Sequence, residues 1–497
     1  MKLYITGDVN VNEYYVQTLC MIFFPGEKFS GEEGEGAPSL YLHMTEDEQG
    51  VTASARLAYR GKETAAERTV AFSTEDGKDR IRKIAIGYAV LSCAGEMMHY
   101  RPSWGMLTGV RPSKVAMELL LKGNTKAATR KLLSGNYMVL PKKAALAVDV
   151  ARREQKIIGT PDLRDCSIYI SIPFCPTRCS YCSFVSYTSK RLLSLIPDYL
   201  TLLCREIRQK FDTVRSLGLK VLTVYIGGGT PTILDAEQLR TLLATVAECT
   251  DVSALQEFTL ESGRPDTIDA EKMAIAAAYG VTRVCVNPQT LCEEVLRGVG
   301  RCHSVKDFYR AYDIARRSGI QCINTDLIVG LPGDDFNAFS NTYDEIMRLA
   351  PENVTVHTFC VKKAAEILRE GKRVYNLRGG DAGKCVDYSQ IRAAEEGYVP
   401  YYMYRQKNMV GNYENVGFAK EGTECLYNIY MMEEVHSIFA AGAGAVTKLV
   451  DYAPPVGDKK HIIRRLFNPK YPYEYLESDG GAAQADAITE FYRERGL

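Results

Sequence analysis

The stretch Ser167-Ile-Tyr-Ile-Ser-Ile-Pro-Phe-Cys-Pro-Thr-Arg-Cys-Ser-Tyr-Cys182 joins a strand-like apolar run to three closely spaced cysteines. Three thiolates, from Cys175, Cys179 and Cys182, can hold three corners of an iron-sulfur cube and leave its fourth iron without a protein ligand. Such an open iron can bind a small molecule and pass it an electron. The spacing therefore indicates reaction chemistry rather than a structural metal.

Two other uses of cysteine fit this stretch less well. Structural zinc needs four ligands, and the nearest further candidate, Cys166, lies at the opposite end of the same strand-like run. A disulfide framework is typical of short secreted chains, whereas this chain has 497 residues, fifteen cysteines and no recognisable secretory signal. We therefore expect a reducing, cytoplasmic environment, with most other cysteines serving as small core residues.

The overall composition is that of an ordinary globular protein. The 61 basic and 61 acidic residues give a formal net charge of zero, so no global field attracts nucleic acid. The apolar run at residues 84–95 is too short to span a membrane. We therefore expect neither a nucleic-acid partner nor a membrane span.

From residue 165 onward, short apolar runs alternate with longer amphipathic segments. The runs predict strands at residues 167–172, 221–226, 258–261, 281–286, 322–329 and 354–359. The segments between them predict helices at residues 192–217, 235–249, 268–279, 305–318 and 337–349. Repeated strand-helix-strand units form parallel sheets whose strands are buried on both faces. The pattern predicts an α/β fold with its ligand site at the carboxyl ends of the strands.

The flanking regions are less regular. Strand patterns at 3–6, 40–44 and 51–59 and helical patterns at 79–99, 112–121 and 140–158 predict an N-terminal α+β domain over residues 1–160. The alternating region occupies residues 161–370, and residues 371–497 predict a small C-terminal α/β domain. Trp104 lies beside two glycines and predicts a tight interdomain turn with a buried ring.

Polar residues follow several of the predicted strands. The second strand ends in Gly227-Gly-Gly-Thr-Pro-Thr232, where backbone groups can approach a ligand because glycine has no side chain. Glu261 ends the third predicted strand, and Gln289 follows the fourth. Arg301 comes twelve residues later, and Asp326 lies in the fifth strand. Each alone is more often a structural ion-pair or capping residue. Together at one rim they predict a polar pocket beside the cysteines.

These motifs carry a family resemblance. The run Tyr169-Ile-Ser-Ile-Pro-Phe-Cys175 with its CxxxCxxC spacing resembles the signature of radical S-adenosylmethionine (SAM) enzymes. Residues 167–359 are similar to the oxygen-independent coproporphyrinogen III oxidase family. The further motifs that carry this similarity are Asn287-Pro-Gln-Thr290, Gly300-Arg-Cys-His-Ser304 and Asn324-Thr-Asp-Leu-Ile-Val-Gly-Leu-Pro332. Two outlying stretches, Leu107-Thr-Gly-Val-Arg-Pro-Ser-Lys114 and Arg405-Gln-Lys-Asn-Met409, resemble the HemZ-type branch.

The resemblance implies a fold and a set of cofactors. The fold is a partial (β/α)6 TIM-like barrel of radical SAM type. Cys175, Cys179 and Cys182 would ligate a [4Fe-4S] cluster whose fourth iron chelates the amino and carboxylate groups of SAM. The positions that match SAM contacts are Tyr169, Tyr181, Gly228, Gly229, Thr230, Glu261, Gln289, Arg301 and Asp326. Acidic side chains suit ribose hydroxyls or the amino group, and the planar fork of arginine suits a carboxylate.

The activity that the resemblance implies is oxygen-independent conversion of coproporphyrinogen III to protoporphyrinogen IX in haem biosynthesis. A SAM-derived radical removes a hydrogen from the β carbon of a propionate, and loss of carbon dioxide and one electron leaves a vinyl group. The cofactor carries this chemistry, so no catalytic acid or base is assigned. The implied partners are a tetrapyrrole substrate and a reduced flavodoxin- or ferredoxin-type electron donor, and the implied state is a monomer.

The chain departs from the family pattern at two places. Asn287-Pro-Gln289 replaces the usual Gly-Val-Gln, and Glu261 is followed by Ser-Gly-Arg-Pro, one residue longer than the common strand end. A related group delivers haem with a His-Asn-x-x-Tyr-Trp motif. The corresponding stretch here, Tyr427-Asn-Ile-Tyr-Met-Met432, lacks the His and the Trp. The alternatives are a haem-binding chaperone and a radical SAM enzyme for another carboxylate-bearing molecule.

Overall fold

The computed structural model describes residues 1–29, 36–73, 77–182, 186–360, 380–406, 409–451 and 462–497. The chain divides into two compact units, the first formed mainly by Met1–Arg152 with Met403–Glu414. The second holds most of the remaining residues. The three-domain division stays a prediction, and its boundary at residue 370 lies outside the described residues.

The first unit contains a four-stranded sheet in the order β1-β2-β3-β4. The β2-β3 pair is antiparallel and forms a hairpin from the strands predicted at 40–44 and 51–59, and alternate residues of β2, including Leu40 and Leu42, are buried. Its elements are β1 (Lys2–Gly7), α1 (Glu13–Phe23), β2 (Ser39–Glu46), β3 (Gly50–Tyr59), β4 (Lys62–Ala71), α2 (Lys78–Met98), α3 (Pro112–Leu121), α4 (Lys126–Asn136) and α5 (Pro141–Ile158). The continuous part of the unit ends at Arg152, inside α5.

A buried polar cluster surrounds Trp104 in the first unit. The ring is fully buried, and its Nε1 donates to Oε2 of Glu414 at 2.7 Å. Lys143 donates to the other carboxylate oxygen, also at 2.7 Å. Arg405 donates through its guanidinium to the Leu107 carbonyl. The buried ring is confirmed, and the two outlying HemZ-type stretches meet here, although Lys407 and Asn408 lie outside the described residues.

The second unit is built around parallel strands that are neighbours in chain order. The order β5-β6-β7-β8-β9-β10 confirms the partial (β/α)6 barrel of radical SAM type, and the sheet is not closed. The elements of this part are β5 (Asp165–Ile172), α6 (Lys190–Leu193), α7 (Ile196–Ser216), β6 (Lys220–Gly228), α8 (Ala236–Cys249), β7 (Glu257–Gly263), α9 (Ala270–Ala278), β8 (Arg283–Val286), α10 (Glu293–Gly298), α11 (Val305–Arg317), β9 (Cys322–Val329), α12 (Phe336–Leu349) and β10 (Asn353–Thr358).

Local sequence signals set the helix starts in this unit. Asp235 and Gln238 form a capping box at the start of α8, and Ser304 and Asp307 form one at α11. Each satisfies backbone N–H groups that the helix itself leaves unpaired. Because the strands from β5 to β10 are parallel, their carboxyl ends lie at one rim of the sheet.

The chain after β10 adds strands to both edges of this sheet. β12 pairs antiparallel with β10, β13 pairs parallel with β5, and the full order is β11-β12-β10-β9-β8-β7-β6-β5-β13-β14-β15. The added elements are α13 (Ala382–Glu395), β11 (Val399–Tyr404), β12 (Asn415–Ala419), α14 (Leu426–Glu433), β13 (Ser437–Ala441), β14 (Val446–Val450), β15 (Ile463–Phe467), α15 (Pro472–Leu476) and α16 (Ala482–Arg493). Within the described ranges, none of the helices combines the length and apolar character needed to cross a bilayer.

Candidate functional site

The cysteine loop begins where β5 ends. Cys175 is buried, and its N–H donates to the Tyr187 carbonyl at 3.1 Å. Cys179 and Cys182 are half-buried, and the Cys182 N–H donates to the Cys179 carbonyl at 3.0 Å. Residues 183–185 lie outside the described part of the chain. Backbone hydrogen bonds therefore fix the positions of all three predicted iron ligands.

The glycine-rich loop at the end of β6 lies directly against the cysteine loop. Gly229 donates its N–H to the Ile172 carbonyl and Thr230 donates to the Phe174 carbonyl, both at 2.8 Å. A Cβ atom on Gly229 would stand 2.5 Å from the Phe174 oxygen and 3.0 Å from the Cys175 sulfur. Glycine is required here because any side chain would push the two loops apart.

Thr230, predicted as a SAM contact, contacts a predicted iron ligand. Its hydroxyl lies 3.2 Å from the Cys175 sulfur. Burial raises the pKa of the Cys175 thiol, whereas the hydrogen bond with Thr230 and the positive charge of Arg264 lower it. Metal-bound cysteine is a thiolate, so a hydroxyl that donates to this sulfur stabilises the form that can ligate iron.

Across the described residues, no group of three or more His, Cys, Asp or Glu side chains is arranged to hold a single metal ion. An iron-sulfur cube makes a different demand, because each cysteine binds its own iron at a separate corner. The cysteine loop, with one sulfur buried and two half-buried beside a glycine cradle, fits that demand.

Glu261 is a half-buried carboxyl near the end of β7. Burial raises the pKa of Glu261 to about 8, and the nearby Asp326 carboxylate acts in the same direction. Hydrogen bonds from Tyr225 and from the backbone of Gly228 act against this rise. The Glu261 carboxyl is therefore largely neutral at pH 7 and can both donate and accept a hydrogen bond.

Asp326 in β9 has the opposite preference. Burial alone would raise the pKa of Asp326, but hydrogen bonds from His357 and Asn324 bring it below its usual value. Nδ2 atoms of Asn324 and Asn287 lie 2.7 and 2.9 Å from its oxygens, and Asn287 Oδ1 accepts the Asp326 N–H at 3.0 Å. Asn287, a departure from the family pattern, thus fixes Asp326 from two sides.

Arg301 and Gln289 carry buried atoms that a ligand would satisfy. Nη1 of Arg301 donates to the Tyr181 hydroxyl at 3.1 Å and Nη2 donates to the Gly263 carbonyl at 3.2 Å. Gln289 has a φ of 69°, and its N–H donates to the Asp326 carbonyl at 3.1 Å. Within the described structure, Arg301 Nε and Gln289 Oε1 are buried without a hydrogen-bond partner. Such orphaned atoms are rare in native proteins.

Tyr169 lies in a stack of three aromatic rings. Its ring centroid is 6.1 Å from that of Tyr225 and 6.2 Å from that of Tyr427, and the last two are 4.5 Å apart. Tyr427 reaches this place because Glu257, at the start of β7, accepts its N–H at 3.2 Å. Sequence reasoning missed Tyr225 as a site residue, although strand alternation places it on the same face as Gly227.

Arg264 and Asp266, which follow β7, are further residues that sequence reasoning missed. Arg264 is buried, and its Nη1 donates to the Thr177 carbonyl in the cysteine loop at 3.1 Å. His303 is also buried, and neither ring nitrogen has a hydrogen-bond partner among the described residues. The sequence signal that could have pointed to Arg264 was the stretch Ser-Gly-Arg-Pro after Glu261, which is one residue longer than the common strand end.

Comparison with known proteins gives consistent matches. Residues 169–346 match the family model for the Radical SAM superfamily. The oxygen-independent coproporphyrinogen-III oxidase-like protein HemZ of Bacillus subtilis (strain 168) is 36% identical over 467 residues, which is 92% of this chain and 90% of that protein. Heme chaperone HemW of the same strain is 32% identical over 314 residues, covering 62% of this chain and 77% of that protein. The structure of coproporphyrinogen III oxidase HemN from Escherichia coli aligns with a TM-score of 0.48 at 20% identity, over 61% of this chain and 70% of that chain.

Proposed function

The chain belongs to the HemZ-type, oxygen-independent coproporphyrinogen III oxidase-like family of radical SAM proteins, and from this membership we propose that it converts coproporphyrinogen III to protoporphyrinogen IX. The observation that carries the proposal is the polar rim beside the cysteine loop. There the side chains of Arg301, Gln289, Glu261 and Asp326 lie beside the glycine-rich loop at the end of β6. Among the described residues, Arg301 Nε and Gln289 Oε1 are buried without a hydrogen-bond partner.

The proposed cofactors are a [4Fe-4S] cluster and SAM. Cys175, Cys179 and Cys182 would bind three irons, and the amino acid group of SAM would bind the fourth. When bound, the reduced cluster supplies an electron that splits SAM and yields a radical able to remove a hydrogen atom from carbon. This chain's residues contribute ligands, orientation and exclusion of water.

The polar rim suits the parts of SAM. Arg301 would donate from its Nε to the carboxylate, since a hydrogen bond between a charged guanidinium and a carboxylate is stronger than one between neutral groups. Glu261 and Asp326 would accept hydrogen bonds from the ribose hydroxyls or the amino group. The remaining proposed contacts, made by backbone or side-chain groups around the same rim, are Tyr169, Tyr181, Gly228, Gly229, Thr230 and Gln289.

The proposed reaction acts on two propionate side chains in turn. Removal of one hydrogen atom from the β carbon is followed by breakage of the bond to the carboxylate, release of carbon dioxide and loss of one electron to a one-electron acceptor. The carbon-carbon double bond of a vinyl group remains. The 36% identity with the HemZ protein, whose name places it among oxygen-independent coproporphyrinogen-III oxidase-like proteins, supports this substrate.

Haem delivery, the role named for the HemW relatives, is disfavoured by Tyr427. This residue stands where the haem-delivery motif has histidine, and its ring is 7% exposed and packed 4.5 Å from that of Tyr225. A haem ligand must be accessible to the haem iron, and this buried, stacked ring is not.

An anaerobic assay tests the proposal. Reconstituted protein, SAM, a low-potential reductant and coproporphyrinogen III should yield methionine, 5'-deoxyadenosine and a product that mass spectrometry finds lighter by two carbon dioxide molecules and four hydrogen atoms. A rate of SAM cleavage that is the same with and without the porphyrinogen would instead favour another carboxylate substrate. Stoichiometric haem binding with a Soret band and no SAM cleavage would favour the chaperone.

A further inference from the structure

The turn after β7 directs a buried arginine towards the cysteine loop. The pairing of β7 with β8 shifts register between Leu260 and Gly263. Gly263 has a φ of 61°, a conformation that favours glycine, and the Arg264 N–H folds back to the Ser262 carbonyl at 2.6 Å. This tight turn directs the Arg264 side chain to the cysteine loop.

Every polar atom of the Arg264 guanidinium is engaged there. Nη1 donates to the Thr177 carbonyl at 3.1 Å and to the Thr177 hydroxyl at 2.9 Å, and it lies 3.9 Å from the Cys179 sulfur. Nε and Nη2 donate to the two oxygens of Asp266 at 3.0 and 2.9 Å. Arg264 is 4% exposed. A fully satisfied, buried guanidinium has one fixed orientation.

Asp266 and Thr177 hold that orientation through different contacts. The two-point contact with Asp266 locks the plane of the guanidinium, and the two contacts with Thr177 bind the middle of the cysteine loop to β7. One end of the guanidinium is thereby left against the Cys179 sulfur. The contact is long at 3.9 Å, and a negatively charged, iron-bound thiolate at Cys179 would attract the guanidinium more strongly than a neutral thiol does.

We propose that Arg264 is a positioning residue for the iron-sulfur cluster. Arg264 holds the cysteine loop in the conformation that ligates iron, and its charge raises the reduction potential of the cluster through the Cys179 sulfur. The inference rests on the proposed function, because it requires the cluster. Hydrogen bonds to cluster sulfurs and nearby positive charge favour the reduced state, and residues that orient metal ligands commonly control affinity and potential. A weak physiological electron donor benefits directly from a higher cluster potential.

The test compares Arg264→Gln and Arg264→Lys with a matched control, Arg208→Gln. Arg208 is a half-exposed arginine of α7 that pairs with Glu248, away from the cysteine loop. Each protein is reconstituted anaerobically without SAM, and its iron content, circular dichroism and EPR-monitored redox titration are measured. SAM cleavage is not needed for any of these readouts.

The inference makes distinct predictions for the variants. Arg264→Gln should bind less iron, and any cluster it holds should be about tenfold less reduced at a fixed ambient potential, which is 59 mV for a one-electron couple. Arg264→Lys, which keeps the charge but not the fork, should retain more iron and an intermediate potential. The control should match wild type in both.

Two failures are distinguishable. Full iron content and wild-type potential in both Arg264 variants would overturn the inference while leaving the proposed function intact. Absence of iron uptake by the wild-type protein would remove the proposed cluster and this inference with it. If Arg264→Gln does not fold, the potential of Arg264→Lys decides the matter, and a wild-type value overturns the inference.

Discussion

A methyl group on Gly229 should drive apart the two loops that form the candidate site. The added Cβ would stand 2.5 Å from the Phe174 oxygen, well inside the ~3.5 Å at which carbon atoms make favourable contact. Neither loop can yield freely, because Gly229 and Thr230 both donate backbone hydrogen bonds across the gap at 2.8 Å. Gly229→Ala must therefore move backbone by about an ångström.

The cost follows from these contacts. Overpacking in a well-packed region costs ~1–3 kcal/mol, and each backbone hydrogen bond that is stretched costs a further ~0.5–1.5 kcal/mol. With two such hydrogen bonds, we expect the free energy of unfolding to fall by about 2–6 kcal/mol. Reconstituted Gly229→Ala should also bind less iron, because Cys175 moves with its loop.

Urea unfolding followed by circular dichroism, together with iron analysis, measures both effects. Gly135→Ala is the matched control, since Gly135 lies in helix α4 and a Cβ atom there meets nothing within 4 Å. In a helix the same change should stabilise by ~1 kcal/mol or less. Unchanged stability and full iron content in Gly229→Ala would refute the close approach of the two loops.

Three further predictions concern single side chains. In Glu261→Gln the pH dependence of stability should flatten, because the wild-type carboxyl has a pKa of 4.5 when unfolded and about 8 when folded. Wild-type stability should therefore fall as the pH rises through this window, by at most about 1.4 kcal/mol per pH unit, and parallel curves for the two proteins would contradict the raised pKa of Glu261. Tyr427→Ala should lower the free energy of unfolding by ~3–5 kcal/mol because the stacked ring is lost, whereas Tyr427→Phe should not lower it. Haem titration should give the same result for the wild type and both variants, and a Soret change in Tyr427→Phe would contradict a role for Tyr427 in stacking alone. Cys179→Ala should lose the cluster absorbance while Cys249→Ala, at the end of α8, keeps it, and equal spectra would contradict the ligand assignment.

The central sheet was predictable because its strands are buried on both faces. The apolar run at 322–329 coincides with β9, and the capping residue Asp235 sets the start of α8 as the pattern predicts. β4 was missed because its sequence, Lys-Glu-Thr-Ala-Ala-Glu-Arg-Thr-Val-Ala, is mainly charged or small and mostly exposed. A strand with little buried surface leaves no hydrophobic alternation to detect.

Long-range pairing was beyond the reach of local patterns. β12 and β13 follow each other along the chain, separated by α14, yet they join opposite edges of one sheet. No local signal specifies such partners, since register depends on tertiary contacts. The same limit hid Tyr427, which reaches the ring of Tyr225 through a distant helix start held by Glu257.

The roles of the candidate site residues stay predictions, but their contacts with one another were not predictable from the sequence. The spacing of the cysteines indicated an iron-sulfur cluster, whereas the roles of the glycines were implied by the family resemblance. The contact of Thr230 with Cys175 and the reach of Arg264 to Thr177 depend on how two loops meet. Arg264 was visible in the sequence, but its direction depends on the geometry of the turn after β7.

Isotope transfer tests the central claim most directly. Coproporphyrinogen III carrying deuterium at the propionate β carbons is incubated anaerobically with the reconstituted protein, SAM and reductant, and the 5'-deoxyadenosine is analysed by mass spectrometry. Hydrogen removal from that carbon by a SAM-derived radical predicts deuterium in the 5'-methyl group, together with vinyl product. Unlabelled 5'-deoxyadenosine, or none above the Cys179→Ala background, would contradict the proposed reaction.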